Sequence, residues 1–284
     1  MTPVRIYISV NQLPRTEQSL DLLLTHIRCS LLRTAEIILC HSTDWDHTAN
    51  LAGLNITLHN TGLTAVAYEF PALRKIWMDS QHEDFRGLYL HCKGSSKTDE
   101  TEWQNAVAWA EYMLMGVVDQ AQRCLRHMDA GADLVGSQWH WHWKGNFYWF
   151  RSAYIRQLVD PFLMDQDYRQ NCEHWCSYAF WWGRYSLPRI RNLFYIPGLV
   201  TDTDYLSLKT LGIKPNFDGR LELRSSFADF LQRRWYGAFD SIQITADEFA
   251  QYSDMLPKFL NYDGVVINTD TQEIYAANSF LYRK

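Results

Sequence analysis

Gly87-Leu-Tyr-Leu-His91-Cys-Lys-Gly94 decides the fold. Its first five residues form a short apolar run closed by a histidine, the length and composition of a buried strand. A lysine and the small residues Gly94, Ser95 and Ser96 follow where that strand ends. Three upstream segments, 5–10, 36–40 and 55–59, read the same way, and helical periodicity separates them over 17–32 and around 72–80. Strands alternating with helices predict an α/β fold: a mainly parallel sheet flanked by helices. In such sheets ligands bind beyond the carboxyl ends of the strands, where His91, Lys93, Gly94 and Ser95 fall. Exposed backbone N–H groups beside a lysine suit phosphate oxygens. A solvated surface turn has the same composition.

Downstream of the loop at 93–100, helical periodicity is longest from Thr101 to about Ala130. Thr101-x-x-Gln104 has the form of a capping box, and Glu102 suits the positive end of the helix dipole. Trp103, Val107, Ala110, Met113, Val117 and Ala121 supply an apolar stripe that Gly131 terminates. Strands are expected at 133–137, 146–150 and 192–196, with a helix starting near Ser152. From about residue 201 the chain is more polar, ending in a hairpin of 264–268 and 273–277. Residues 1–200 are therefore expected to form the ligand-binding domain and 201–284 an α+β C-terminal extension.

Composition narrows the classes. A net charge of −5 and a pI near 6.0 argue against nucleic-acid binding, which requires a basic face. No apolar stretch is long enough to span a bilayer, and the N-terminal residues lack signal-peptide anatomy. The six cysteines are scattered without a Cys-x-x-Cys pair, so free thiols and a cytoplasmic location are expected. Twelve tryptophans exceed ordinary usage. Most such rings fill a core, but rings beside polar turns also stack on sugars and bases.

Two further stretches carry chemistry. In His142-Trp-Lys-Gly145-Asn146-Phe-Tyr-Trp149, Gly145 permits close approach, Asn146 offers donor and acceptor, and the rings offer a stacking wall. A tight turn into an aromatic core strand reads equally well. Within it, His140-Trp-His142 places two imidazoles on one face of a strand, the spacing of metal ligands. Glu173, in Asn171-Cys-Glu-His-Trp175, is a carboxylate in partly apolar surroundings, suited to accept a proton. Cys172, His174 and Cys176 match no common zinc spacing. Asp-x-Asp pairs at 44/46, 165/167 and 202/204 are of a kind that binds Mn²⁺ or Mg²⁺, and none ends an apolar strand as cleanly as His91-Cys-Lys93.

The order of Tyr89–Gly94, Trp103 or Trp109, Val135-Gly136, His142–Trp149 and Glu173-His-Trp175 resembles a group of GT-A-like glycosyltransferases of bacteria, phages and large viruses. The resemblance covers about residues 4–200. It implies a GT-A fold that binds a nucleotide-sugar donor and transfers the sugar to a glycan or other hydroxyl acceptor. His91, Lys93, Gly94, Ser95, His142, Gly145, Asn146 and Trp149 would bind the donor, and Glu173 would be the base of an inverting reaction. GT-A enzymes usually end their fourth strand with a metal-binding Asp-x-Asp; this chain has His91-Cys-Lys93 there. Lysine can neutralise a diphosphate directly, so Mn²⁺ or Mg²⁺ is expected to be dispensable or weakly bound. Two other readings use the same residues: a non-catalytic carbohydrate-binding or assembly protein, and a zinc-dependent hydrolase built on His91, His140, His142 and Glu173.

Overall fold

The computed structural model describes residues 2–46, 49–137, 139–140, 142–143 and 145–176, and the strand segments 190–192, 242–244, 265–268 and 273–276. Four parallel strands form its centre: β1 (Val4–Val10), β2 (Glu36–His41), β3 (Asn55–Asn60) and β4 (Arg86–His91). Helix α1 (Thr16–Cys29) connects β1 to β2, and α2 (Phe70–His82) precedes β4. Next come α3 (Glu100–Leu114), α4 (Ala121–Asp129) and β5 (Leu134–Gly136). A short hairpin of β6 (Trp139–His140) and β7 (His142–Trp143) leads to β8 (Tyr148–Arg151) and α5 (Ser152–Ile155). Helix α6 (Gln170–His174) follows, and β9 (Ile190–Asn192), β10 (Ile242–Ile244), β11 (Val265–Asn268) and β12 (Glu273–Ala276) are later in the chain.

The sheet order is β10-β11-β12-β9-β5-β8-β4-β1-β2-β3. Strand β8 is antiparallel to both β4 and β5, so the sheet is mixed, with an all-parallel half at β1 to β4. The chain winds outward from β1 through β2 to β3, then returns to the other side of β1 as β4. That reversal makes the β1/β4 boundary the topological switch point, where diverging connections leave a crevice. Ser9 and His91 are paired at its edge. The hairpin expected at 264–277 is present as β11 and β12, and β12 meets β9 through Ile274 and Ile190. The boundary expected at 200/201 and residues 193–196 of the expected strand lie outside the described residues.

Period-two alternation divides the core into two layers. Ile6, Ile8, Leu88, Leu90, Val135 and Trp149 face α1, α3 and α4. Tyr7, Tyr89, Leu134, Tyr148 and Phe150 face α2 and α5. Among the described residues no helix is long and apolar enough to cross a membrane.

The long helix expected from 101 to 130 is interrupted. A π turn at Met115–Asp119 separates α3 from α4 and reopens the backbone ladder. Indole Nε1 of Trp149 donates to the Val117 carbonyl at 2.7 Å, satisfying an acceptor within that turn. The cap also differs from expectation. Asp99, not Thr101, caps α3 by accepting from the Glu102 N–H at 2.9 Å, and Gln104 instead donates to Glu100 at 2.7 Å. Asp99 stands one residue before the first helical position, where its short carboxylate reaches the orphan donors.

Gly87 sits directly across from Phe150, whose ring covers it; a Cβ there would lie 2.0 Å from Phe150 Cζ. Gly87→Ala is expected to cost about 1–3 kcal/mol by overpacking, read as a lower urea midpoint at unchanged slope. An unchanged midpoint would show that the ring has room to swing aside.

Candidate functional site

The site grows from Glu69, the residue before α2. Pro71 in the first turn of that helix needs no N–H partner there, which fixes where the helix starts. Glu69 lies at the positive end of α2, yet its carboxylate makes no cap bond and turns towards the sheet. Tyr68, just before it, has φ 51° and ψ −128°, backbone that residues other than glycine rarely adopt. Asn11 Nδ2, after β1, donates to the Tyr68 carbonyl at 2.9 Å and holds that bend.

Two donors meet on Glu69 Oε2: the Tyr89 hydroxyl at 2.6 Å and Asn146 Nδ2 at 2.7 Å. Glu69 Oε1 faces His91 Nδ1 at 3.8 Å. The other ring nitrogen, His91 Nε2, donates to the Gly145 carbonyl at 2.8 Å. Gly145 and Asn146 both have left-handed backbone, at φ 76° and 62°, and the Asn146 N–H closes the turn onto the Trp143 carbonyl at 2.9 Å. A Cβ at Gly145 would lie 2.3 Å from Met113 Sδ, so the turn packs directly on α3. Glu69, His91, Gly145 and Asn146 thus form a closed ring joining α2, β4 and the turn before β8.

Charge in this ring is tightly balanced. Burial pushes the Glu69 carboxyl up, but the His91 charge, the Tyr89 and Asn146 hydrogen bonds and Arg169 outweigh it and hold the group below 4.5. Burial pushes His91 below its ordinary 6.5, aided by Lys93 and opposed by Glu69, the Gly145 bond and Glu173. Tyr89 is raised by burial and then by Glu69. The result is a carboxylate beside a neutral imidazole at neutral pH.

Lys93 lies just beyond β4, with its ammonium 3.6 Å from the centroid of the Trp109 ring on α3. The turn around it is pinned. Ser19 Oγ donates to the Lys93 carbonyl at 3.0 Å, and the Arg15 N–H donates to that of Ser95 at 2.9 Å. Lys93 and Ser95 turn their own N–H groups inward, to the carbonyls of His91 and Cys92. Gly94 is left-handed at φ 77° and packs on α3, where a Cβ would lie 2.5 Å from Ala106 Cβ. Glu173, on α6, is half-buried and near enough for its charge to act on His91. The structure therefore gathers His91, Lys93, Gly94, Ser95, Gly145, Asn146 and Glu173 about the carboxyl end of β4.

The other expected residues are placed differently. Trp149 is fully buried on the opposite face of the sheet from Tyr89, and Phe147, Tyr148 and Phe150 are equally enclosed. The expected stacking wall is core, because successive residues of β8 fill alternate layers. His140 and His142 face each other across the β6–β7 hairpin, not along one strand, and their side chains lie outside the described residues. Glu69 escaped the sequence reading altogether. Its signal was an acid directly before Phe70-Pro71, a helix start aimed back at β4.

These residues do not suit a divalent cation. Among the described residues no three His, Cys, Asp or Glu side chains are grouped to hold a metal. Burial raises the Cys92 thiol to about 12, and the neighbouring Lys93 is a cation. Asp165 Oδ1 accepts from the Asp167 N–H at 3.0 Å in a local turn, and 202 and 204 lie outside the described residues.

The chain matches the family model described as Domain of unknown function (DUF8361) over residues 12–187, and it belongs to that family. No curated protein and no solved structure matches it. The matched span contains every residue of the ring, together with Lys93 and Glu173.

Glu69 and His91 both bind protons less readily in the folded chain than at their ordinary values. The unfolded chain therefore binds more protons between the folded and unfolded values, and stability rises with pH there. Their contribution is complete above 6.5 and is lost as pH falls through the folded values, first at His91 and below 4.5 at Glu69. Urea midpoints are expected to fall between pH 7.5 and 5. His91→Gln, whose amide can still donate to Gly145, is expected to flatten that fall; an identical slope would remove His91 as its source.

Proposed function

We propose that this protein is a glycosyltransferase, moving a sugar from a nucleotide-sugar to an acceptor hydroxyl. The observation that carries the reading is the gathering of Lys93, His91 and Glu173 at the switch point of an α/β sheet, where nucleotides bind in such folds. The resemblance of Tyr89–Gly94, His142–Trp149 and Glu173-His-Trp175 to GT-A-like enzymes supports the same reading.

In this mechanism the bond from the anomeric carbon to the diphosphate oxygen breaks, and its electron pair leaves with the diphosphate. Lys93 offsets the charge that grows there, at a site whose field is fixed before reaction. The acceptor hydroxyl attacks from the opposite face as Glu173 takes its proton, forming the new glycosidic bond with inversion. No step requires a metal. The carbohydrate-binding alternative drew on the aromatic wall of β8, which is buried.

Glu173→Gln is expected to lower kcat by about 10²–10⁴-fold while leaving the dissociation constant of the nucleotide-sugar within about twofold. Lys93→Ala is expected to weaken nucleoside diphosphate binding, measured by calorimetry. Turnover is expected to persist in excess EDTA. Full activity in Glu173→Gln would sink the assignment of the base, and loss of activity in EDTA would sink the metal-free mechanism.

A further inference from the structure

The ring around Glu69 contains an unbalanced set of hydrogen-bonding atoms. A carbonyl can only accept, so the bond from His91 to Gly145 places a proton on Nε2. In the neutral imidazole, Nδ1 then carries a lone pair, and it faces a carboxylate oxygen of Glu69 at 3.8 Å. Two acceptors face each other across a gap too wide for a direct hydrogen bond. An oxygen placed off the line between them can stand at about 2.8 Å from both, so a hydroxyl there donates to one acceptor and a second hydroxyl beside it donates to the other.

Asn146 extends the pattern. Glu69 Oε2 is an acceptor, so the amide must turn Nδ2 to it, which orients Oδ1 away. That Oδ1 is buried without a partner, on a residue 1% exposed. The hydroxyl of Tyr148, whose ring centroid is 5.6 Å from that of Tyr89, is likewise buried and unpartnered. A native interior rarely leaves such atoms unmet unless something else meets them. The His91 and Glu69 side chains are 12% and 9% exposed.

From these atoms we infer that Glu69 Oε1, His91 Nδ1 and Asn146 Oδ1 form an acceptor-lined subsite for neighbouring hydroxyl groups of a bound sugar. The inference rests on the proposed transferase reading in taking that sugar to be the donor's. Three contiguous ring hydroxyls supply one donor to each acceptor, and one of their oxygens can receive the Tyr148 proton. A phosphate cannot, because it brings only acceptors and negative charge to a carboxylate. The site is thereby divided, with anionic groups on the Lys93 side and hydroxyls on the Glu69 side.

Calorimetric titrations with a panel of nucleoside diphosphates and their sugar conjugates test this, using wild type, Glu69→Gln and Asn146→Gly. Glycine keeps the left-handed backbone at 146, so the turn survives loss of the amide. The expected result is that each variant binds the sugar conjugate about tenfold more weakly, with nucleoside diphosphate affinity unchanged within about twofold. Equal weakening of both ligands, or of neither, would overturn the subsite. Should no nucleotide bind wild type, the transferase reading fails, and the subsite is then judged with free monosaccharides. Saturable binding lost in both variants would uphold it; no binding would end it. Nitrogen NMR of His91 at pH 7.5 gives a ligand-free check: a neutral ring protonated on Nε2 is expected. A second proton on Nδ1 would close the gap from within and refute the inference.

Discussion

A carboxylate withdrawn from water must be met by donors, and Glu69 is met from two separate parts of the chain. Tyr89 reaches it from the middle of β4 and Asn146 from the turn that begins β8. Because β4 and β8 are sheet neighbours, the carboxylate also fixes how the start of α2 sits over their junction. Removing one donor would leave the buried carboxylate short of a hydrogen bond, which typically costs about 1–3 kcal/mol and more for a charged group. Such a group is better explained by what it arranges than by what it stabilises. The strained backbone of Tyr68 fits that view, since it aims the next residue inward at local cost.

The second constraint is the aromatic filling of β8. Phe147, just before the strand, and Tyr148, Trp149 and Phe150 within it are all enclosed, and successive rings serve opposite layers. Accommodation occurs in the neighbours. Gly87 gives up its side chain to the Phe150 ring, and the helix over Trp149 opens into a π turn whose Val117 carbonyl receives the indole N–H. The break between α3 and α4 is thus tied to one buried donor in the sheet.

The fold was legible where the pattern was local. The five-residue run ending at His91 is a strand in a parallel pair, and the proline-free periodicity of 101–130 is helical on both sides of the π turn. The π turn was not legible, since Met-Gly-Val-Val-Asp continues the apolar stripe and its cause lies in Trp149, more than thirty positions away. In the same way Lys93 and His91 announced themselves by ending a strand, whereas Glu69 looked like any acid before a proline. Its meaning depends on a partner 77 positions later. The aromatic run of β8 misled for a simpler reason: rings that stack on ligands and rings that fill a core share one composition, and only the neighbouring layers distinguish them.

The cysteines carry a practical consequence. Cys40, Cys92, Cys124, Cys172 and Cys176 are buried, and burial raises the thiols of the first four, so their reactive thiolates are scarce. Cys29 alone among the six is exposed. It ends α1, and α1 runs back from the carboxyl edge of β1 to the amino edge of β2. A maleimide dye would therefore attach at a single native position on the far edge of the sheet from Lys93 and His91. The molecule comes with its own attachment point for a fluorophore, set where a reporter can follow ligand-linked motion without touching the ligand.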